Sequence, residues 1–227
     1  MPRLPGYAAL GPLGRFFLQV FLWLPFCFLI WYNLAGMLSV PALWVTESAL
    51  NLVHDGLVER VEGWGRAVHF VSSLEVPMEQ DGRTGFGQLV ASINPLAYTW
   101  NLPVLFALLF AAPNAHFAAW RLVLGWLALL PVHAWGIGFE VLKVLAVDSG
   151  SQASDQMGLQ GWHLEVIGYG YQLGYLMLPV IGAATIWLML NRGFVAELAG
   201  HEKPRSQTPE GASLTDKPGG RQVGGRG

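Results

Sequence analysis

The sequence predicts an all-α membrane protein: a four-helix transmembrane bundle, both termini cytoplasmic, carrying a small external amphipathic and β-hairpin insertion. Three observations predict it. The chain of 227 residues is 53% hydrophobic and 12% charged, about half the charged share of a soluble domain. Its charges leave four gaps, between Arg15 and Glu47, Arg83 and Arg121, Arg121 and Glu140, and Glu165 and Arg192. A helix needs about 20 apolar residues to cross roughly 30 Å of hydrocarbon, so spans are expected at 16–40, 95–112, 122–139 and 166–191. With four spans both termini share a side, and nine of the thirteen Lys and Arg residues then fall there. By the positive-inside rule that side is the cytoplasm.

Residues 1–15 form the cytoplasmic N-terminus. The first apolar run is too long for the core of a signal peptide and no small-residue cleavage site follows a short apolar stretch, so it reads as a retained anchor. Pro25 kinks it, which neighbouring helices can accommodate. An external loop, 47–90, comes next. Ser48 to Glu62 places Leu50, Val53, Leu57 and Val61 on one helical stripe, as in an interfacial amphipathic segment. The period then becomes two, with Val68, Phe70, Ser72, Leu74 and Val76 on one parity and Gly63-Trp64-Gly65 as a turn. A β-hairpin over 58–76 follows, and Asp81-Gly82 marks another turn.

The stretch "INPLAYTWNLPVLFALL" opens the second span. Asn94 is suited to cap a helix and Pro95 to begin it, whereas Pro103 must bend it. The third span is the shortest and should sit nearly upright. The fourth closes the membrane domain, 16–200. From His201 the tail, 201–227, is too poor in apolar residues to pack and is expected to be disordered.

Several polar side chains interrupt the spans in what would be the outer leaflet. Asn101 lies about 9 Å below Pro95, and His133 a similar depth from the outer end of its span. Asn33, Asn94, Tyr98, Tyr171, Gln172 and Tyr175 fall at comparable depth. Such groups are costly in lipid and face the bundle or a wet cavity, so together they are candidates for an outward-facing polar pocket. The plainer alternative is that each bonds to a neighbouring helix or snorkels. Gly170 and Gly174 form a GxxxG packing face for a helix or a partner. Glu140 and Lys143, at i,i+3, are expected to pair.

Catalytic chemistry is sparse. Cys27, the lone cysteine, sits mid-span among Phe26, Phe28, Leu29 and Ile30, where a thiol is inert. His54, Asp55, His69 and His163 lack metal-ligand spacing. No phosphate loop or GxSxG occurs. Neither a metal nor a cofactor is expected, and nothing in a net charge of −2 points to nucleic acid. Activity in this chain alone is unsupported.

The segments "WLPFCFLIWYNL", "GLVERVEGWGRAVHFVSSLEVP", "INPLAYTWNLPVLFALL", "LLPVHAWGIGFEVLK", "GYQLGYLMLP" and "LMLNRGFVAEL" resemble the exosortase H-associated membrane proteins of Gram-negative bacteria. The likeness covers residues 14–198. It implies a multi-pass inner-membrane protein accompanying an exosortase, a membrane enzyme that recognises a C-terminal sorting signal on secreted proteins and processes it on the external side. Exosortases carry a Cys with basic residues on neighbouring helices. This chain has no Arg inside its spans, and Cys27 lacks the surrounding motif, so it looks like an accessory and not the sortase.

Two functions are therefore expected. The first is a partner that stabilises the exosortase or presents the substrate's transmembrane tail, with membrane lipid around it. The alternative is an enzyme or lipid-binding protein using the polar pocket, with His133 or Tyr98 as acid or base. An accessory should lose function through bulky changes at Gly170 or Gly174, an enzyme through Asn101→Ala or His133→Ala.

Overall fold

The computed structural model describes residues 11–80, 83–112 and 119–200. The expected disordered tail, the Asp81-Gly82 turn and the start of the N-terminus lie outside these. The described residues are mostly helical and include three helices long and apolar enough to cross a membrane, and one small sheet.

α1 (Pro12–Val53) is a single helix of 42 residues, about 63 Å long and twice the thickness of the hydrocarbon. Pro12 begins it, after Gly11. Its buried stripe of Phe16, Val20, Cys27, Trp31, Ala35, Ser39, Ala42, Thr46 and Leu50 repeats at three- and four-residue steps. The expected span stops at 40 and the loop begins at 47, yet the stripe continues past Glu47, so the helix does too. The amphipathic stretch after Ser48 is thus α1's last turn followed by β1, not a separate element. Pro41 disturbs the carbonyls of the preceding turn, and the Trp126 indole donates to Leu38 O there at 3.3 Å.

The insertion is a meander of three antiparallel strands, β1 (Val58–Trp64), β2 (Ala67–Gln80) and β3 (Arg83–Ile93), in the order β1-β2-β3. The expected hairpin over 58–76 holds β1 and most of β2 and omits the end of β2 and all of β3. Most of β3 was left in the external loop, because Thr84 to Ile93 lies in the uncharged interval before the second expected span. Gly65, at φ 69°, turns β1 into β2. Asn51 clamps the sheet to α1: its Nδ2 donates to Val58 O at 3.0 Å and its Oδ1 accepts from Val58 N at 2.8 Å. Asn51→Ala should cost about 2 kcal/mol by leaving both backbone groups without partners, read as faster amide exchange at Val58 with α1 unchanged.

β1 runs back along α1. At the hairpin tip the Trp64 indole lies on Gly36, where a Cβ would come within 2.6 Å of Trp64 Nε1. The Arg66 guanidinium sits 4.5 Å from the centre of the Tyr32 ring.

α2 (Leu96–Thr99) and α3 (Asn101–Ala111) follow. Asn94 Oδ1 accepts from Leu96 N at 3.2 Å, and Pro103, lacking the N–H that would reach Thr99 O, accounts for the break at Trp100. Together they run Leu96–Ala111, about 24 Å. The expected second span is therefore shorter than a full crossing.

α4 (Ala119–Lys143) continues as a π turn to Asp148, 30 residues in all, where the shortest span had been expected. Glu140 does not end it, and Lys143 pairs with Asp148 at 2.6 Å instead of with Glu140. After α5 (Ser151–Gln156), α6 (Trp162–Gln172) and α7 (Leu178–Leu190) form one helix of 29 residues through a π turn at Leu173–Met177. α8 (Arg192–Gly200) ends the described chain.

The core lies in three clusters. Phe16, Val20, Ala111 and Phe194 close one end. Trp31, Ala35, Leu102, Leu105, Leu129 and Ala183 fill the middle. At the sheet end Phe70, Val68 and Ala91 pack on Ile137, Val141 and Leu145, so sheet and helices share one core.

Candidate functional site

Two features meet where the bundle joins the sheet. The first is polar and closed. α3 presents Asn101 and α4 presents His133, each 1% exposed. Asn101 Nδ2 donates to Pro179 O at 3.2 Å, and its Oδ1 faces His133 Nε2 at 2.8 Å. Because the carbonyl of Pro179 can only accept, the amide orientation is set. Nε2 of His133 therefore carries the hydrogen and donates. Nδ1 is left as a buried acceptor without a protein partner. Pro179 follows the π turn in the long helix, so three helices are tied at one point.

Tyr98 lies one turn towards the sheet, buried against Gly136. A Cβ on Gly136 would overlap its ring. The Tyr98 hydroxyl and Glu140 Oε2 are both buried without a hydrogen-bond partner. Tyr175 packs edge-on to Tyr98 at 6.0 Å and stacks on Tyr171 at 5.9 Å. Lys143 Nζ is 5.3 Å from the centre of the Tyr171 ring.

Of the expected pocket residues, Asn101, His133, Tyr98, Tyr171 and Tyr175 come together. Three do not join them. Asn33 donates to Leu29 O of its own helix and is exposed, Asn94 caps α2, and Gln172 is exposed. Of those brought together, Asn101, His133 and Tyr98 are buried, whereas Tyr175 is exposed. Gly170 and Gly174 pack inside the chain. A Cβ on Gly170 would overlap the Phe139 ring, and one on Gly174 would stand 2.9 Å from Gly136 Cα. Trp135 adds an indole bond to Gly170 O at 3.1 Å. The small-residue face is thus taken by α4 and is not free for a partner. Neither pair of substitutions separates accessory from enzyme, since all four side chains hold the fold.

The second feature is open and apolar. A groove of about 620 Å³ lies between the outer part of α1, α4, and the loop and helix after α5. Val45 and Ala49, Ala134 and Gly138, and Met157 and Ile167 stand for its three walls, with His54 and His163 also lining it. Its volume is within the ordinary range of ligand pockets. Sequence reasoning missed it because its walls come from segments almost a hundred residues apart. Thr46 was missed too: it bonds Ala42 O at 2.8 Å and reaches Ala134 O at 3.4 Å. Among the described residues, no three His, Cys, Asp or Glu side chains converge as metal ligands.

A family model described as exosortase H-associated membrane protein matches residues 10–194. No curated protein and no solved structure matches.

Proposed function

The chain belongs to the exosortase H-associated membrane protein family, and on that premise we propose that it is an accessory that presents a substrate's transmembrane tail to the exosortase. In this reading it sits in the bacterial inner membrane with both termini cytoplasmic and the sheet outside. The open groove supports the proposal: it is apolar and walled by α1, α4 and the segment from Met157 into α6. One face of a helical tail, drawn partly out of the bilayer, would exchange lipid for these walls, as amphipathic helices do in apolar grooves. The Asn101–His133 pair serves this role by holding α3, α4 and the long α6–α7 helix in register. An enzyme reading would need a substrate at these atoms, which are sealed.

Gly138 gives the test. It lines the groove, and a Cβ there meets only Thr46 Cγ2, at 3.7 Å. Gly138→Leu therefore fills the groove while improving helix propensity. With a photo-crosslinking residue at Ala49 in cells, the tail of an exosortase substrate should be captured. Gly138→Leu should remove the crosslink and lower substrate processing roughly tenfold, the equivalent of about 1.4 kcal/mol of lost binding, at unchanged protein level. Crosslinks to lipid alone, or normal processing in Gly138→Leu, would sink the proposal.

A further inference from the structure

The groove is polar at one end only. α1 and α4 run toward the sheet and α6 runs away from it, so the end of α1 and the start of α6 meet at the sheet end of the bundle. His54 follows α1 and His163 lies in the first turn of α6. They are the two titratable side chains among the groove's lining residues. His54 Nδ1 is buried without a hydrogen-bond partner. The backbone of Gln160 holds His163 Nδ1, 3.0 Å from its carbonyl oxygen, which leaves Nε2 on the far edge of the ring. Toward the middle of the bundle the lining side chains keep their polar atoms to themselves. Thr46 Oγ1 donates to Ala42 O and the Trp135 indole to Gly170 O, while Val45, Pro131 and Ala134 are apolar.

The shape is equally specific. Lining residues on α4 run from Pro131 to Leu142, about 16 Å of helix. Spread over that length, about 620 Å³ gives a cross-section of about 40 Å², against roughly 80–110 Å² for a helix with its side chains. The occupant of the floor is therefore slimmer than a helix. The segments before residue 11, between 112 and 119, and after 200 join the bundle at its other end, beside Phe16, Ala111 and Phe194.

We infer that the groove holds an acyl chain of a glycerophospholipid, with the phosphate at His54 and His163 and the chain end beside Val45 and Ala134. All three helices that wall the groove are long and apolar enough to cross a membrane, so phospholipid is the amphiphile at hand. Its polarity matches the groove from end to end. Imidazole N–H groups donate to phosphate oxygens, and the apolar floor accepts only hydrocarbon. A substrate helix would set side chains into this floor and displace the lipid. That displacement rests on the proposed function, whereas the lipid assignment rests on the groove alone.

The test uses the full chain in phosphatidylcholine nanodiscs containing phosphatidylglycerol with a photoreactive diazirine at the end of one acyl chain. Labelled residues are mapped by mass spectrometry. Label should concentrate at Val45 and Ala134, and Gly138→Leu should lower it there roughly tenfold. Label on the exposed outer face of α1, at Phe21 and Leu22, should stay constant. Ala49→Phe, on the open wall of the groove, should act like Gly138→Leu and separates blocking from a folding defect. Dodecyl phosphate should compete with the label roughly fivefold better than dodecanol, and this advantage should vanish in His54→Ala/His163→Ala. Label at Val45 and Ala134 no stronger than at Phe21, or unchanged in both blocking variants, would overturn the inference. Equal competition by phosphate and alcohol would overturn the assignment of the two histidines. Lipid label in a groove that captures no substrate tail would uphold this inference and fail the proposed function; tail capture without lipid label would do the reverse.

Discussion

Gly174→Ala should cost about 2–3 kcal/mol, with Gly174→Leu leaving little folded protein. The added carbon would stand 2.9 Å from Gly136 Cα and 3.1 Å from Trp135 Cδ1. A backbone atom cannot rotate aside, so α4 and the α6–α7 helix must separate. That movement would loosen Tyr98 from Gly136 and the Trp135 bond to Gly170 O. Gly170→Ala is the informative comparison. It collides only with the Phe139 ring, a side chain bordering the open groove and able to swing into it. The expected order is Gly174→Ala worse than Gly170→Ala, and both worse than Gly138→Leu. Thermal unfolding in mild detergent checks the order, and equal loss at 170 and 174 would show that the helices do not meet as described.

The second large effect concerns the buried pair. Asn101→Leu strands the His133 Nε2–H, and His133→Leu strands Asn101 Oδ1, each a buried group without its partner. Each single change should cost about 1–3 kcal/mol. Replacing both removes both orphans, so the double variant should be more stable than the sum of the singles predicts, by about 1–2 kcal/mol. That lies at the upper end of interhelical polar couplings measured in membranes. Full burial and the third contact, to Pro179 O, place it there. Unfolding the four proteins with a denaturing detergent measures the coupling. Strict additivity would mean that the hydrogen bond contributes nothing, and the pair would then have to be explained by something other than architecture.

Much of the helical frame was legible because lipid imposes a simple rule. Long intervals without charge locate the apolar helices, and the amino acids Asn94-Pro95 and Pro103 mark where one starts and breaks. Charges proved poor at marking helix ends. Glu47 and Glu140 sit inside helices that continue past them, since a helix leaving the bilayer carries charge freely, and α4 runs on to pair Lys143 with Asp148. β3 was illegible for the opposite reason. An uncharged strand and the approach to a span look alike until the strand has a partner.

What the sequence determined by itself, then, is an apolar helical protein with a strand-forming insertion, and Asn101 and His133 as intramembrane polar groups in need of partners. Only the tertiary structure decided that these two partner each other, and that Gly170 and Gly174 are consumed within the chain. The packing of the hairpin tip against Tyr32 and Gly36 likewise appears only in the tertiary structure. The groove belongs to this second class, for a physical reason. Burial is a property of one residue's neighbourhood and leaves a periodic trace along the chain, whereas a cavity is the space that three separate segments fail to fill, and no single segment records it.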